Sequence, residues 1–191
     1  MGTKAGLDIL SGPRDEALAK RLIKESGYAG EPVVMLAATD RHVYSAMMQV
    51  ARDLFVRLGL NVDFQPMDWG SIVARRTSRE PVGQGGWSCF ITQIEGVAAS
   101  TPGGSFELRG NGAKAWFGWP CNAEIEKLRD ALTRETDPKK QLKIIEEMQV
   151  KMYEYVPYIT WGQWTSPMAF RSNVKGVLAS PQRMFWNIYK E

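Results

Sequence analysis

Hydrophobic and polar positions along the chain fall into an ordered series of elements. "PVVMLAA" (32–38) is an unbroken apolar run bounded by Pro and polar residues, which predicts a strand covered on both faces. Over 42–58, Val43, Met47, Val50, Leu54 and Leu58 recur at helical spacing, and Gly59 supplies the stop. Thr39 or Asp40 is placed to cap that helix. Leu60, Val62 and Phe64 then alternate with Asn61, Asp63 and Gln65, predicting a second strand with one wetter face. Together these form a β-α-β unit of about 35 residues, with parallel strands and a right-handed crossover.

The flanks extend the pattern. Residues 14–27 read as a helix, with Leu18 and Leu22 one turn apart, acids placed early and Gly27 at the end. Asp68 is positioned to cap a helix that starts at Trp69 and ends near Glu80–Pro81. "VGQGG" is a loop, and "WSCFIT" (87–92) predicts a third buried strand. Residues 94–120 are rich in Gly, Ser, Pro and Asn, and a connection of that length is usually functional or mobile. Asn122 opens a helix carrying Ile125, Leu128 and Leu132. Asp137 and Pro138 start another, striped by Leu142, Ile145, Met148 or Gln149, and Met152. "VPYITWGQW" (156–164) reads as a strand and 165–191 as short extended segments. No internal repeat or low-complexity tract interrupts the series. The fold class is α/β, with a mostly parallel sheet flanked by helices.

With 191 residues, 44% of them hydrophobic and 24% charged, the chain can bury a real core. No run of 18 apolar residues occurs, so no segment is expected to span a membrane. The first twenty residues lack a basic stretch followed by an apolar one and do not read as a signal peptide. A net charge of +3 is only mildly basic. Arg75, Arg76 and Arg79 read as a solvated helix face rather than a nucleic-acid footprint, so no nucleic-acid partner is expected. Seven tryptophans are the unusual feature, since indoles suit both cores and binding clefts. Cys89 and Cys121 have no metal-ligand spacing, and their pairing cannot be deduced from the sequence.

Candidate catalytic chemistry is thin. His42 is the one histidine and stands just before a helical stripe. There is no Gly-x-Ser-x-Gly elbow and no phosphate-binding loop, and "GQGG" and "GGSFELRGNG" follow no dinucleotide pattern. No catalytic residue, metal site or cofactor is expected. The alternative is a hydrolase using Glu95 or another acid near the 94–120 loop. What remains is aromatic and polar. If strands 60–66 and 87–92 pair in parallel, Trp69, Gln93 and Glu95 meet at one edge, where open α/β sheets collect ligands. Trp69 is there either a plug over the helix start or a surface for stacking.

Five stretches then carry a resemblance. "GPRDEALAKRLIKESGYAGEPVVMLAATD", "VARDLFVRLGLNVDFQPMDWGSIVARR", "GWSCFIT", "NGAKAWFGWP" and "YEYVPYITWGQWTSPMAFRSNVKGV" occur in order. The chain resembles, from about Leu10 to Lys190, the C-terminal part of a family 5 extracellular solute-binding protein. Such proteins are the peptide, dipeptide and nickel receptors of ABC importers. The resemblance implies one lobe of a type II periplasmic-binding-protein-like clamp. Residues 1–164 would form the lobe, and 165–191 a tail returning to a missing N-terminal lobe. It also implies a membrane permease as partner, a peptide or other small polar solute as ligand, and a periplasmic or extracellular location, with the signal peptide upstream. In peptide-binding members the Trp matching Trp69 faces the cleft, and a basic residue matching Arg76 can meet a ligand carboxylate. The stretch matching Gln93, Ile94, Glu95 and Gly96 lines the pocket. One departure stands out: the family's "Asp-Tyr-x-Asp-Pro"-like run, which holds a peptide's α-amine, is replaced here by "QIEGVAASTP", leaving Glu95 as the acid of that stretch.

Overall fold

The computed structural model describes residues 3–100, 102–182 and 184–191. The elements run α1 (Asp8–Ser11), α2 (Glu16–Glu25), β1 (Val33–Ala38), α3 (His42–Leu58), β2 (Val62–Met67), α4 (Trp69–Arg75), β3 (Cys89–Phe90), α5 (Ala123–Arg134), α6 (Pro138–Tyr155), β4 (Val174–Lys175) and β5 (Tyr189–Lys190). The chain forms two compact units. A sheet unit comprises Gly12–Gln93, and a helical unit comprises the chain up to Ser11 together with Ile94–Glu191.

In the sheet unit the strand order is β2-β1-β3, all parallel. β1 is the centre, in register with β2 from Val33↔Val62 to Ala38↔Met67. β3 pairs with the other edge of β1 through Met35↔Cys89 and Leu36↔Phe90. The condition set on the sequence, direct pairing of strands 60–66 and 87–92, is not met, because β1 lies between them. The reason is physical: β1 is apolar at every position, so it suits the doubly covered centre, whereas β2 alternates and tolerates an edge. β3 is also much shorter than the predicted strand and only partly buried.

Alternation along β1 divides the core into two layers. Val34, Leu36 and Ala38 face Ile72 of α4, with Tyr44, Met67, Trp69, Trp87 and Phe90 packed around them. Met35 and Ala37 face Met48 and Ala51 of α3, with Phe55, Val62, Phe64 and Ile91 alongside. Helices therefore cover both faces of the sheet. α3 ends at Gly59, whose φ of 90° is left-handed, and its amide returns to the carbonyls of Phe55 and Val56. Neither Thr39 nor Asp40 caps α3; the N-cap is Arg41, with no side-chain bond. α4 does begin as its sequence predicts, with Asp68 accepting from the Ser71 amide. It ends at Arg75, more than a turn before the expected end near Glu80–Pro81, and the Thr77 hydroxyl donates to the Ala74 carbonyl there. The following turn folds tightly back: a Cβ on Gly86 would lie 2.0 Å from the Glu80 carbonyl oxygen. Arg75 fastens that turn, donating to the carbonyls of Gly85 at 2.7 Å and Gly86 at 3.2 Å.

The helical unit is built on α5 and α6, joined through Glu135–Asp137. Asn122 accepts from the amides of Glu124 and Ile125, and Asp137 from Lys139, with Pro138 opening α6 as read from the sequence. Ile125, Met148 and Met152 are buried together, with Leu108, Leu128, Leu132 and Ile144 against them. Leu142 belongs to the predicted stripe but is exposed. Gln149 reaches back to the N-terminal segment, donating to the carbonyls of Thr3 and Ala5. Residues 156–164 form no strand, and α6 ends at Val156 in a left-handed conformation before Pro157. Among its described residues the tail contributes the antiparallel β4–β5 pair. Among the described residues no helix is long and apolar enough to cross a membrane.

Candidate functional site

Parallel pairing sends the C-terminal ends of β1, β2 and β3 to the same edge of the sheet. Immediately beyond β2, the Trp69 amide donates to Asp40, beyond β1, at 2.8 Å. Asp40 thus joins the two strand ends instead of capping α3. The Trp69 ring is partly buried and meets Tyr44 edge-to-face at 5.2 Å between centroids.

Arg76, at the end of α4, completes the cluster. Its guanidinium lies 5.8 Å from the Trp69 ring centroid and 5.7 Å from that of Phe90. Such distances permit attraction between the cation and both ring faces. Burial lowers the Arg76 pKa, yet a guanidinium stays charged at any working pH. The Trp87 indole N–H donates to the Arg76 carbonyl at 3.1 Å, holding the end of α4 against β3. Arg75 and Arg76 are therefore partly buried and engaged, and only Arg79 of the three is exposed as a solvated face would require. Chemically, the cluster offers a flat apolar surface beside a fixed positive charge.

Of the residues singled out in the sequence, the structure brings Trp69 and Arg76 together. Gln93 is exposed and closes the sheet unit three residues beyond β3. Ile94, Glu95 and Gly96 open the helical unit; Ile94 is partly buried and the other two are exposed. The Glu95 carbonyl accepts from the Ala99 amide, which starts a short 3-10 turn at Ala98–Ser100. Sequence reasoning missed Tyr44 as the ring partner of Trp69 and Phe90 as the second ring beneath Arg76. Phe90 stood in a predicted strand, but its meeting with Arg76 depends on how the end of α4 packs against β3, which no local pattern shows.

The 94–120 segment is tied down by charge. Arg129 donates to the carbonyls of Pro102, Gly103 and Ser105. Arg109 grips Glu126 with three donor contacts, the shortest 2.7 Å, and the Gly110 amide adds another at 2.7 Å. Burial would raise the Glu126 pKa, but these bonds and the charges of Arg109 and Arg129 outweigh it and hold the carboxyl below its usual range. Cys89 and Cys121 are both free thiols, in separate units. No group of three or more His, Cys, Asp or Glu able to hold a metal occurs among the described residues.

No family model matches the chain. It is 40% identical over 178 residues to a protein of Sinorhizobium fredii named a probable peptide ABC transporter periplasmic-binding protein, covering 92% of this chain and 33% of that one. The structure superposes on AppA from Clostridium difficile with a TM-score of 0.71 and 20% identity, covering 93% of this chain and 37% of the other. It also superposes on NikA from Staphylococcus aureus, in complex with Ni(L-His)2, with a TM-score of 0.70 and 18% identity, covering 93% and 38%. These solved structures establish the fold, which is that of part of a periplasmic binding protein. The chain spans about a third of the length of the curated relative it matches. Along nearly all of its own length the chain is similar in sequence to part of a peptide ABC transporter periplasmic-binding protein, and its fold is that of part of a periplasmic binding protein, in line with the family 5 group its motifs resemble.

Proposed function

We propose that this chain supplies one face of the cleft in the solute-binding component of an ABC importer. The component captures a peptide-like or other small polar solute between two lobes and delivers it to a membrane permease. The observation that carries this reading is the Trp69–Arg76 pair at the C-terminal edge of a parallel sheet. An indole tolerates varied side chains because it offers area rather than shape, while a fixed guanidinium selects a carboxylate. Gln93, Ile94, Glu95 and Gly96 are proposed to add contacts from the chain that follows β3. The Sinorhizobium fredii relative is named as a peptide and periplasmic binding protein, which supports the substrate class and a periplasmic or extracellular location.

Residues 165–191 are proposed to return to a second lobe lying in the remaining two thirds of the parent chain. Their exposed apolar side chains, Phe185 and Trp186 above all, support this. Capture then needs no bond-making, because ligand favours whichever arrangement of the lobes binds it better. The 191-residue chain alone offers a fraction of those contacts. Calorimetric titration with mixed short peptides is expected to give at best millimolar affinity, about 4 kcal/mol. Trp69→Ala should weaken it further. Micromolar binding to this chain alone would overturn the shared-cleft reading, and an unchanged affinity in Trp69→Ala would remove the indole from it.

A further inference from the structure

The chain leaving β2 is held one rung further than the sheet itself extends. The Thr39 amide donates to the Met67 carbonyl at 2.9 Å, closing the β1–β2 ladder. Two residues on, the direction reverses, and the Trp69 amide donates to Asp40 Oδ1 at 2.8 Å. The first amides of a helix find no partner within it. Asp68, the local cap of α4, commits both oxygens to Ser71, accepting from its amide at 3.0 Å and its hydroxyl at 2.6 Å. The Trp69 amide is left to a carboxylate 29 residues away in sequence.

Tyr44, in the first turn of α3, supplies a second hold. Its ring meets the indole edge-to-face, with 5.2 Å between centroids and 62° between planes. Both holds come from one short connection, the turn from β1 into α3. The amide bond fixes where the Trp69 backbone starts, and the ring contact limits the rotamers open to its side chain. Neither is needed to attach α4 to the sheet, because Ile72, 1% exposed, already packs against Val34, Leu36 and Ala38. The Asp40 bond lies at the surface, so losing it uncovers no core. What the two contacts add is direction.

We propose that Asp40 and Tyr44 are positioning residues for Trp69, holding the indole in the pose that sets its ring beneath Arg76 before any solute arrives, an assignment that rests on the cleft reading. A side chain already in its binding pose costs less ordering on capture. The test labels the 191-residue chain with 5-fluorotryptophan and reads its seven fluorine resonances by NMR, with Trp69→Phe identifying that of Trp69. Without ligand, Asp40→Ala and Tyr44→Leu should each shift or broaden the Trp69 resonance while the others stay in place. Asp40→Asn keeps an acceptor oxygen and should restore it. A bond that served stability alone would lower the urea midpoint without singling out this resonance. Titration with trialanine should weaken about fivefold in Asp40→Ala, the factor that one net hydrogen bond of lost ordering gives, and recover in Asp40→Asn. A Trp69 resonance unmoved in Asp40→Ala, a shift that Asp40→Asn does not reverse, or a trialanine affinity unchanged in Asp40→Ala would each overturn the proposal. No response of the unsubstituted chain to trialanine would count against the cleft reading instead, and the ligand-free resonances would still decide the positioning.

Discussion

The two units solve the problem of order differently. In the sheet unit the buried residues named in its two core layers are all apolar, and β1 alone supplies five side chains at 3% exposure or less. In the helical unit the apolar core is small, and the buried polar residues of the described chain, Ser105 and Glu107, both lie in its long connecting segment. That segment is shaped by a few ionic and carbonyl bonds centred on Arg129 and Glu126. The first unit depends on area, which is spread over many contacts. The second depends on a handful of groups, so single substitutions and pH should act on it selectively.

The comparison can be broken at several points. Leu36→Ala removes a side chain 1% exposed at the centre of the sheet, and should cost roughly 2–5 kcal/mol in urea denaturation. Arg129→Met keeps the stem but frees three carbonyls and one partner of Glu126, and should cost roughly 3 kcal/mol. Hydrogen exchange should then rise across 102–110 while β1 stays protected. Asn122→Ala removes the acceptor for two amides at the start of α5, and about 1 kcal/mol of stability should go with it.

Acid gives a gentler probe. The folded Glu126 pKa lies below its unfolded value, so its contribution is complete above the unfolded value and disappears as pH falls through the folded one. Stability measured from pH 6 downward should drop less steeply in Glu126→Gln than in the parent chain. Thiol labelling sharpens the contrast with the least perturbation. Burial pushes the Cys89 thiol up to about 11, whereas Cys121 is exposed. At pH 8 a thiol reagent should therefore modify Cys121 first, with Cys89 following only as the sheet opens.

Much of the sheet unit was legible because its signals are local. The apolar run of β1, the helical spacing of α3, Gly59 and the Asp68 cap each act within a few residues. Strand order was only partly legible: the unbroken apolar run marks β1 as the doubly covered centre, but no local signal says which side β2 and β3 take. The 156–164 stretch shows the opposite failure. Its alternation is strand-like, but a strand exists only with a partner to receive its amides, and here Ile159, Trp161 and Trp164 remain exposed. At the candidate site, the residue types at Trp69 and Arg76 were readable, but the placing of Arg76 over both the Trp69 and Phe90 rings was not. The burial of Glu107 gave no signal, because nothing in "SFELRG" shows that its Oε2 is buried without a partner.

The Val34 amide donates not to a strand carbonyl but to the Ser88 hydroxyl at 3.0 Å, and the Ser88 amide returns to the Val34 carbonyl at 2.9 Å. Two ladder residues are too few to define an alignment. One hydroxyl therefore acts as the peg that stops this edge from sliding, and the direction in which Phe90 meets the guanidinium is inherited from it.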